Sequence, residues 1–209
     1  MFLSKNEIES RFGDLIENGN PDLIREVSYD LCVGDEIYRS EEGLPEMLSP
    51  DKQPCVLIKP GQFALIKTFE AVKVPKEYVG LISIRSEYKF QGLVNVSGFH
   101  VDPTFEGHLI FAVQNVGPND VRLRFKEPAF MMMWAQLSNP YEPAPGARKR
   151  AGYSNIPVRL MAQLGGSSIT ISELKTEVDK LHTQVKFFIG VGIALVIAIV
   201  GVILRLVFH

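Results

Sequence analysis

Between residues 27 and 137 the chain alternates short apolar runs with turn residues. The runs read VSYDLCVGDEIY, PCVLIKPGQFALIKTFEAVKV, VGLISIRS, GLVNVSGFHVD, HLIFAVQNV, DVRLRFK and AFMMMWAQL. The compositions Lys59-Pro60-Gly61-Gln62 and Gly117-Pro118-Asn119-Asp120 are typical of turns. Six or seven short strands at this spacing predict a mainly β domain, built as a sandwich, a jelly roll or a barrel.

A helix is predicted ahead of the strands, from Ser4 to Asn18. Ser4 and Glu7 have the spacing of a capping box, and Asn18-Gly19-Asn20-Pro21 ends the pattern. The apolar positions that share one helical face are Ile8, Phe12, Leu15 and Ile16.

The C-terminal part carries two further helical patterns. Phe187 to Leu204 is a run of 18 residues without a charge, which as a helix spans roughly 27 Å, close to the thickness of a bilayer core. The alternative is a buried core helix, but a β-rich domain of this size has no place for a helix that is apolar on all faces. Before it, apolar residues step by three and four, which predicts a short coiled coil or an amphipathic helix lying against the domain. The stepping positions are Ile171, Leu174, Val178, Leu181, Val185 and Phe188, and Thr170 with Glu173 forms a second capping box.

These patterns divide the chain into four parts. Residues 1–140 form the β domain, and residues 141–168 form a linker and C-terminal arm rich in Pro, Gly and Ser. Residues 169–186 form the coiled coil, and residues 187–208 form the transmembrane helix.

Charge and cysteine content bear on the partners and the cellular compartment of the protein. The net charge of −2 gives no basic field for nucleic acid, and two cysteines, Cys32 and Cys55, favour a reducing compartment over a disulfide scaffold. The N-terminus has no apolar core of a signal peptide. Lysines and the basic cluster at 148–150 lie before the span, so we expect a C-terminal anchor with the domain in the cytoplasm.

Three polar patterns are candidates for chemistry. Ser28-Tyr29-Asp30 opens a strand, where Asp30 is expected to bond to nearby backbone. Arg85 and Ser86 form a charged turn that suits an anion, although a solvated turn is the equal alternative. Residues 98–107 predict a hairpin with Asp102 at an Asp-Pro corner between two aromatics, where a ring can stack and a water can be oriented. The four histidines lack metal-ligand spacing, and no Walker or hydrolase signature is present.

Taken in order, these segments resemble the dCTP deaminase and trimeric dUTPase superfamily over residues 1–140. The resemblance implies a dUTPase-like distorted jelly roll, or β-clip, that forms homotrimers with deoxynucleoside triphosphate sites between subunits. It also implies magnesium bound with the triphosphate. It gives Asp102 the role of holding the attacking water. The nucleotide-binding positions implied by the resemblance are Arg85, Ser86, Lys89, Phe99, Phe105, Gln114 and Tyr153.

The sequence departs from this family's pattern at several positions. The family's deaminases place a catalytic Glu ten residues after the Asp, and here that position is Ala112, which carries no proton. In the family's Arg-Ser-Ser-Leu-Ala-Arg motif, the second Ser is Glu87 and the second Arg is Phe90, beside Lys89. The C-terminal arm that closes the family's site is only partly matched, by Arg150, Gly152, Tyr153 and Asn155.

Three functions follow from these observations. The first is an enzyme, with dUTP hydrolysis retained better than dCTP deamination because Asp102 is present. The second is a catalytically degenerate sensor that binds a nucleotide and signals through its membrane helix. The third is a structural trimer. The heptad itself favours two strands, since β-branched residues occupy its a positions and mostly Leu its d positions, whereas the resemblance favours three subunits.

Overall fold

The computed structural model describes residues 1–144, 146, 151–164 and 171–207. The basic cluster at 148–150, Thr170 and Phe208, which enter the predictions above, lie outside these residues. The chain separates into two compact units, Met1–Ser168 and Ile169–His209.

The first unit is built on antiparallel strands, which confirms the mainly β prediction. Among the described residues the strands are β1 (Ile16–Glu17), β2 (Tyr29–Arg39), β3 (Glu46–Met47), β4 (Cys55–Ile58), β5 (Phe63–Lys73), β6 (Tyr78–Ile84), β7 (Leu93–Asn95), β8 (His100–Val101), β9 (Glu106–Asn115), β10 (Val121–Arg124) and β11 (Pro128–Gln136). The main sheet has the order β7-β9-β5-β2-β11-β6-β8, while β10 and β4 form a separate pair. The expected six or seven strands are therefore too few, because pieces of two or three residues also pair.

The long central strands curl the sheet around one core. The pairing register shifts along β2 and β5 and along β5 and β9, which bends these strands instead of leaving a flat sheet. Inside, Phe111 and Phe130 stack with ring centroids 3.9 Å apart, and Trp134 is fully buried. Along β9 the residues alternate between this core and the opposite face of the strand, so Ala112 and Gln114 share the outer face.

The predicted N-terminal helix is only partly correct. The capping box at Ser4 and Glu7 is present, and Ile8, Leu15 and Ile16 are buried as expected. The helix, however, breaks into α1 (Lys5–Ser10) and α2 (Phe12–Leu15), and Ile16 belongs to β1. Pairing of Ile16 with Val72 on β5 supplies backbone hydrogen bonds that a longer helix would forgo.

The predicted hairpin around Asp102 is a corner between two parts of the sheet. Strand β8 pairs with β6, and β9 pairs with β5 and β7, so the two arms do not pair with each other. Pro103 has no backbone N–H to donate, and the amide of Thr104, which has φ 67°, donates to Val74 O at 2.8 Å. These features anchor the corner to the end of β5.

After β11 the chain returns to the outer face of the sheet. Residues 151–156, called the strap below, cross β9, where Ala151 makes a parallel bridge with Glu106. Helix α4 (Val158–Leu164) follows the strap. A second, smaller apolar cluster joins them to the sheet; it contains Tyr38, Leu65, Ile110, Ala112, Ile156, Leu160, Met161 and Leu164.

The second unit is described as one helix, α5 (Ile171–Val207), of 37 residues. Its stretch Glu177–Arg205 is long and apolar enough to cross a membrane, judged by length and composition alone. The heptad positions Leu174, Val178, Leu181 and Val185 are exposed along it. The coiled coil and the membrane span remain predictions.

Candidate functional site

A cavity of about 210 Å³ lies beside the Asp-Pro corner. Three of the residues singled out from the sequence line it together, namely Asp102, Phe105 and Tyr153. His100, His108, Ile82 and Ile110 also contribute to its wall. The cavity thus combines apolar and aromatic surface with a few groups able to exchange hydrogen bonds or protons, as small-ligand sites do.

Asp102 is the acidic group of this cavity. Its carboxylate lies 3.5 Å from Nε2 of His100, and both side chains are close to half exposed. Two backbone carbonyl groups fix the ring of the neighbouring His108. Its Nδ1 lies 3.1 Å from Thr68 O and 3.2 Å from Glu70 O. Since both partners are carbonyl oxygens, which only accept, Nδ1 carries a proton. The spacing of the histidines in the sequence did not predict that His100 and His108 share a cavity.

The strap brings Tyr153 to the cavity through a close backbone crossing. Gly152 N donates to Glu106 O at 2.6 Å, and Tyr153 N donates to His108 O at 3.4 Å. A Cβ on Gly152 would lie 2.6 Å from the Cα of Gly107, which itself has φ +135°. Only glycine fits this crossing without displacing backbone, so the two glycines explain how the strap approaches β9.

Arg85 and Ser86 begin a short helix instead of the predicted turn. Arg85 is the N-cap residue of α3 (Ser86–Phe90), and Ser86 is exposed in its first turn. The Arg85 guanidinium donates to Asp30 Oδ2 at 2.7 Å, and Arg25 donates to the same oxygen at 2.8 Å. Glu87 lies 3.7 Å from the Arg85 guanidinium. Asp30 therefore bonds to two arginines, not to nearby backbone as expected, and part of the positive charge of Arg85 is already balanced.

The other predicted nucleotide-binding residues do not line the cavity. Lys89 donates to Ser83 Oγ at 2.8 Å, and Gln114 donates to Gly61 O at 3.3 Å. Phe99 is 70% exposed and contacts the His100 ring edge-on, with centroids 5.1 Å apart. The lining of the cavity within the described chain includes none of Arg85, Ser86, Lys89, Phe99 and Gln114. A single chain thus brings together the corner and the strap in one cavity, and Arg85, Ser86 and Lys89 are not among the residues that line it.

A second cavity, of about 600 Å³, opens beside α3. Glu87 and Gln91 line it together with Arg122 and Arg124, which alternate along the exposed face of β10. This pair of arginines was missed from the sequence, although their spacing of two residues on a strand places them on one face.

Ala112 has apolar surroundings. It lies on the outer face of β9 within the small cluster formed by Ile156 and the apolar residues of α4. The position where the resemblance expects a catalytic Glu is therefore packed against the protein's own C-terminal arm. This packing leaves the surface at position 112 suited to apolar contact and unsuited to a carboxylate.

The comparisons with known proteins agree with the sequence resemblance. The family model described as dCTP deaminase-like matches residues 2–133. The dCTP deaminase of Pyrococcus abyssi is 32% identical over 131 residues, which cover 61% of this chain and 82% of that protein. The dCTP deaminase of Thermococcus gammatolerans is 31% identical over 149 residues, which cover 69% of this chain and 92% of that protein.

A solved structure supports the fold. The crystal structure of 2'-deoxycytidine 5'-triphosphate deaminase from Agrobacterium tumefaciens superposes with a TM-score of 0.53 at 14% identity, covering 64% of this chain. The chain spans about half the length of that structure, 48%, so this likeness concerns the fold alone. The predicted superfamily and its distorted jelly-roll fold are confirmed. Because the family match covers more than half of its residues, the chain belongs to the dCTP deaminase-like family.

Proposed function

We propose that this protein binds deoxynucleoside triphosphates between the subunits of a homotrimer and hydrolyses dUTP to dUMP and pyrophosphate. The observation that carries the proposal is the cavity in which Asp102 stands with the aromatic side chains of Phe105 and Tyr153. In hydrolysis, a water held by Asp102 gives up a proton to the carboxylate as its oxygen bonds to the α phosphorus. The bond from that phosphorus to the α–β bridging oxygen breaks, so dUMP forms and pyrophosphate leaves. The aromatic rings supply surface for the sugar and base.

Hydrolysis is preferred over deamination because of position 112. Deamination of cytosine needs a group that moves protons at the base, and an alanine in an apolar cluster supplies none. The family's deaminases carry that group where this chain has Ala112, whereas the Asp needed to orient water is retained as Asp102.

Two subunits would have to complete the site. Arg85, Ser86 and Lys89 do not line the Asp102 cavity of the same chain, so the proposal places the triphosphate at Arg85 of one subunit and its sugar at the corner of a neighbour. The hydrogen bond that Arg85 donates to Asp30 holds the guanidinium in one orientation. The Asp30 carboxylate also balances part of the positive charge of Arg85.

Magnesium enters the proposal only with the nucleotide. Among the described residues, no group of three or more His, Cys, Asp or Glu side chains could hold a metal ion. This finding does not fit a metal cage made by the protein, but Mg²⁺ commonly keeps its waters and binds through substrate phosphates. No step of the proposed reaction is assigned to the ion.

Anchoring to a membrane through the C-terminus, with the domain in the cytoplasm, is part of the same proposal. It is supported by the length and apolar composition of Glu177–Arg205 and by Lys175, Lys180 and Lys186, which precede the charge-free run from Phe187 to Leu204. The lipid bilayer and the deoxynucleotide would then be the partners of the trimer, without nucleic acid.

The proposal is tested with the full chain, extracted in detergent and incubated with dUTP or dCTP in the presence of magnesium. We expect pyrophosphate and dUMP from dUTP, no ammonia from dCTP, and a loss of at least about a hundredfold in turnover for Asp102→Asn. The matched control is Asp51→Asn, an exposed loop aspartate. Saturable binding without turnover would replace the enzyme by a nucleotide sensor, and absence of binding would contradict both.

A further inference from the structure

The strap is fastened to the sheet by a buried pair of charged side chains. Lys67 on β5 is only 8% exposed, and its Nζ donates to Ser154 O at 2.9 Å. The same ammonium pairs with Asp35 at 2.9 Å and lies 3.8 Å from the Glu36 carboxylate. A lysine loses hydration when it is buried, so these oxygens must replace the water it gives up.

Glu36 on β2 makes the second fastening. It is 5% exposed, and its Oε2 accepts a hydrogen bond from Ile156 N at 2.9 Å. The Ile156 side chain then enters the small apolar cluster beside Tyr38 and Leu65. Removing Lys67 leaves the buried Glu36 carboxylate without its nearby cation, whereas removing Glu36 leaves Lys67 its closer partner, Asp35.

Tyr153 depends on these fastenings for its position. Its own backbone contact is a long one, 3.4 Å to His108 O, and its hydroxyl accepts from Arg159 at 3.3 Å within the arm. On one side Gly152 is bonded to Glu106, and on the other Ser154 is bonded to Lys67. The tyrosine is therefore held against the Asp102 cavity mainly by the residues that flank it.

We infer that Lys67 and Glu36 are positioning residues that hold Tyr153 as a wall of the Asp102 cavity and so set the affinity for the deoxynucleotide. The inference rests on the proposed function for its ligand. Neither residue touches the cavity itself, so both act through the strap.

A double-mutant cycle tests this coupling in the full chain. The probe is α,β-imido-dUTP, which is not hydrolysed, and the variants are Lys67→Met, Tyr153→Ala and the double variant. Lys67→Met and Tyr153→Ala should each weaken binding about tenfold, and the double variant should be no weaker than Tyr153→Ala alone. Lys67→Arg should restore binding, and Lys76→Met, at an exposed lysine paired with Glu142, is the control.

Independent losses that multiply in the double variant would overturn the inference, because Lys67 would then act without Tyr153. Hydrogen exchange of the Gly152 and Ile156 amides gives a second readout that needs no ligand. Exchange should accelerate in Lys67→Met and not in Lys67→Arg; unchanged exchange would also overturn the inference. If Lys67→Met does not fold, Glu36→Met, which removes the oxygen that accepts from Ile156 N, carries the same test. Absence of probe binding by the unaltered protein would contradict the proposed function, and hydrogen exchange would still decide the role of Lys67.

Discussion

At the scale of single residues, the most unusual group is the carboxylate of Glu70 on β5. It is 1% exposed, its Oε2 accepts from Cys32 N at 2.8 Å, and its Oε1 accepts from Tyr29 OH at 3.3 Å. Burial raises the pKa of Glu70 above its ordinary value, against the hydrogen bond from the Cys32 amide, which lowers it. Burial likewise raises the pKa of the Cys32 thiol, as expected for a packing residue that is not reactive.

The raised pKa of Glu70 predicts a dependence of stability on pH. A carboxyl whose folded pKa exceeds its unfolded value stabilises the fold fully below the unfolded pKa, near 4.5. That contribution is lost as the pH rises through the folded pKa, because the unfolded state ionises first. As the pH rises from 4.5 to 8, Glu70→Gln should therefore become more stable relative to the unaltered protein. The measurement is the difference between their free energies of unfolding in urea at the two pH values. An equal difference at both pH values, or the same change in the exposed Glu9→Gln control, would contradict the assignment.

At the scale of elements, α4 and the outer face of β9 surround position 112 with apolar side chains. The helix places Leu160, Met161 and Leu164 in the cluster that contains Ala112. The resemblance expects a carboxylate at this position, so replacing one residue would not be enough to recover that chemistry here. The arm has to move as well.

The apolar surroundings of position 112 give a prediction for Ala112→Glu. The new carboxylate would enter an apolar cluster without a partner, so we expect the free energy of unfolding to fall by about 1–3 kcal/mol. We expect no ammonia from dCTP, measured with an enzyme-coupled assay. Ala112→Gln, of the same size and without charge, separates crowding from ionisation. Formation of dUTP and ammonia by Ala112→Glu would show that the arm does not block the position.

Some features of the elements could be predicted from the sequence and others could not. Local periodicity predicted the strands, the capping box at Ser4 and the buried face of the N-terminal helices. It placed Asp102 and Phe105 together because they are neighbours on one corner. It could not predict that Lys67 binds the carbonyl of Ser154, since 87 residues separate them and no repeating pattern links a lysine to a backbone oxygen. For the same reason Asp30 was assigned local partners, while its bond to Arg85 crosses 55 residues.

At the scale of the whole molecule, two features favour different numbers of subunits. The resemblance of the domain favours three, whereas the heptad from Ile171 to Phe188 favours two. That heptad is short, and isolated helices of this length contribute little stability of their own. We therefore expect the domain to decide the number of subunits.

Mass measurement of the full chain in detergent tests this expectation. We predict a protein mass of three copies of the 23.4 kDa chain, after subtraction of the detergent. The paired change Leu174→Asp and Leu181→Asp places charges at two exposed d positions of the heptad and should leave three copies, because the interfaces of the domain remain. Thr183→Asp, on the outer side of the same helix, is the control. A dimer for the unaltered chain, or separation into single chains caused only by the paired change, would mean that the helix sets the assembly. The proposed site between subunits would then need a different geometry, because the proposal takes Arg85 from one subunit and Asp102 from its neighbour.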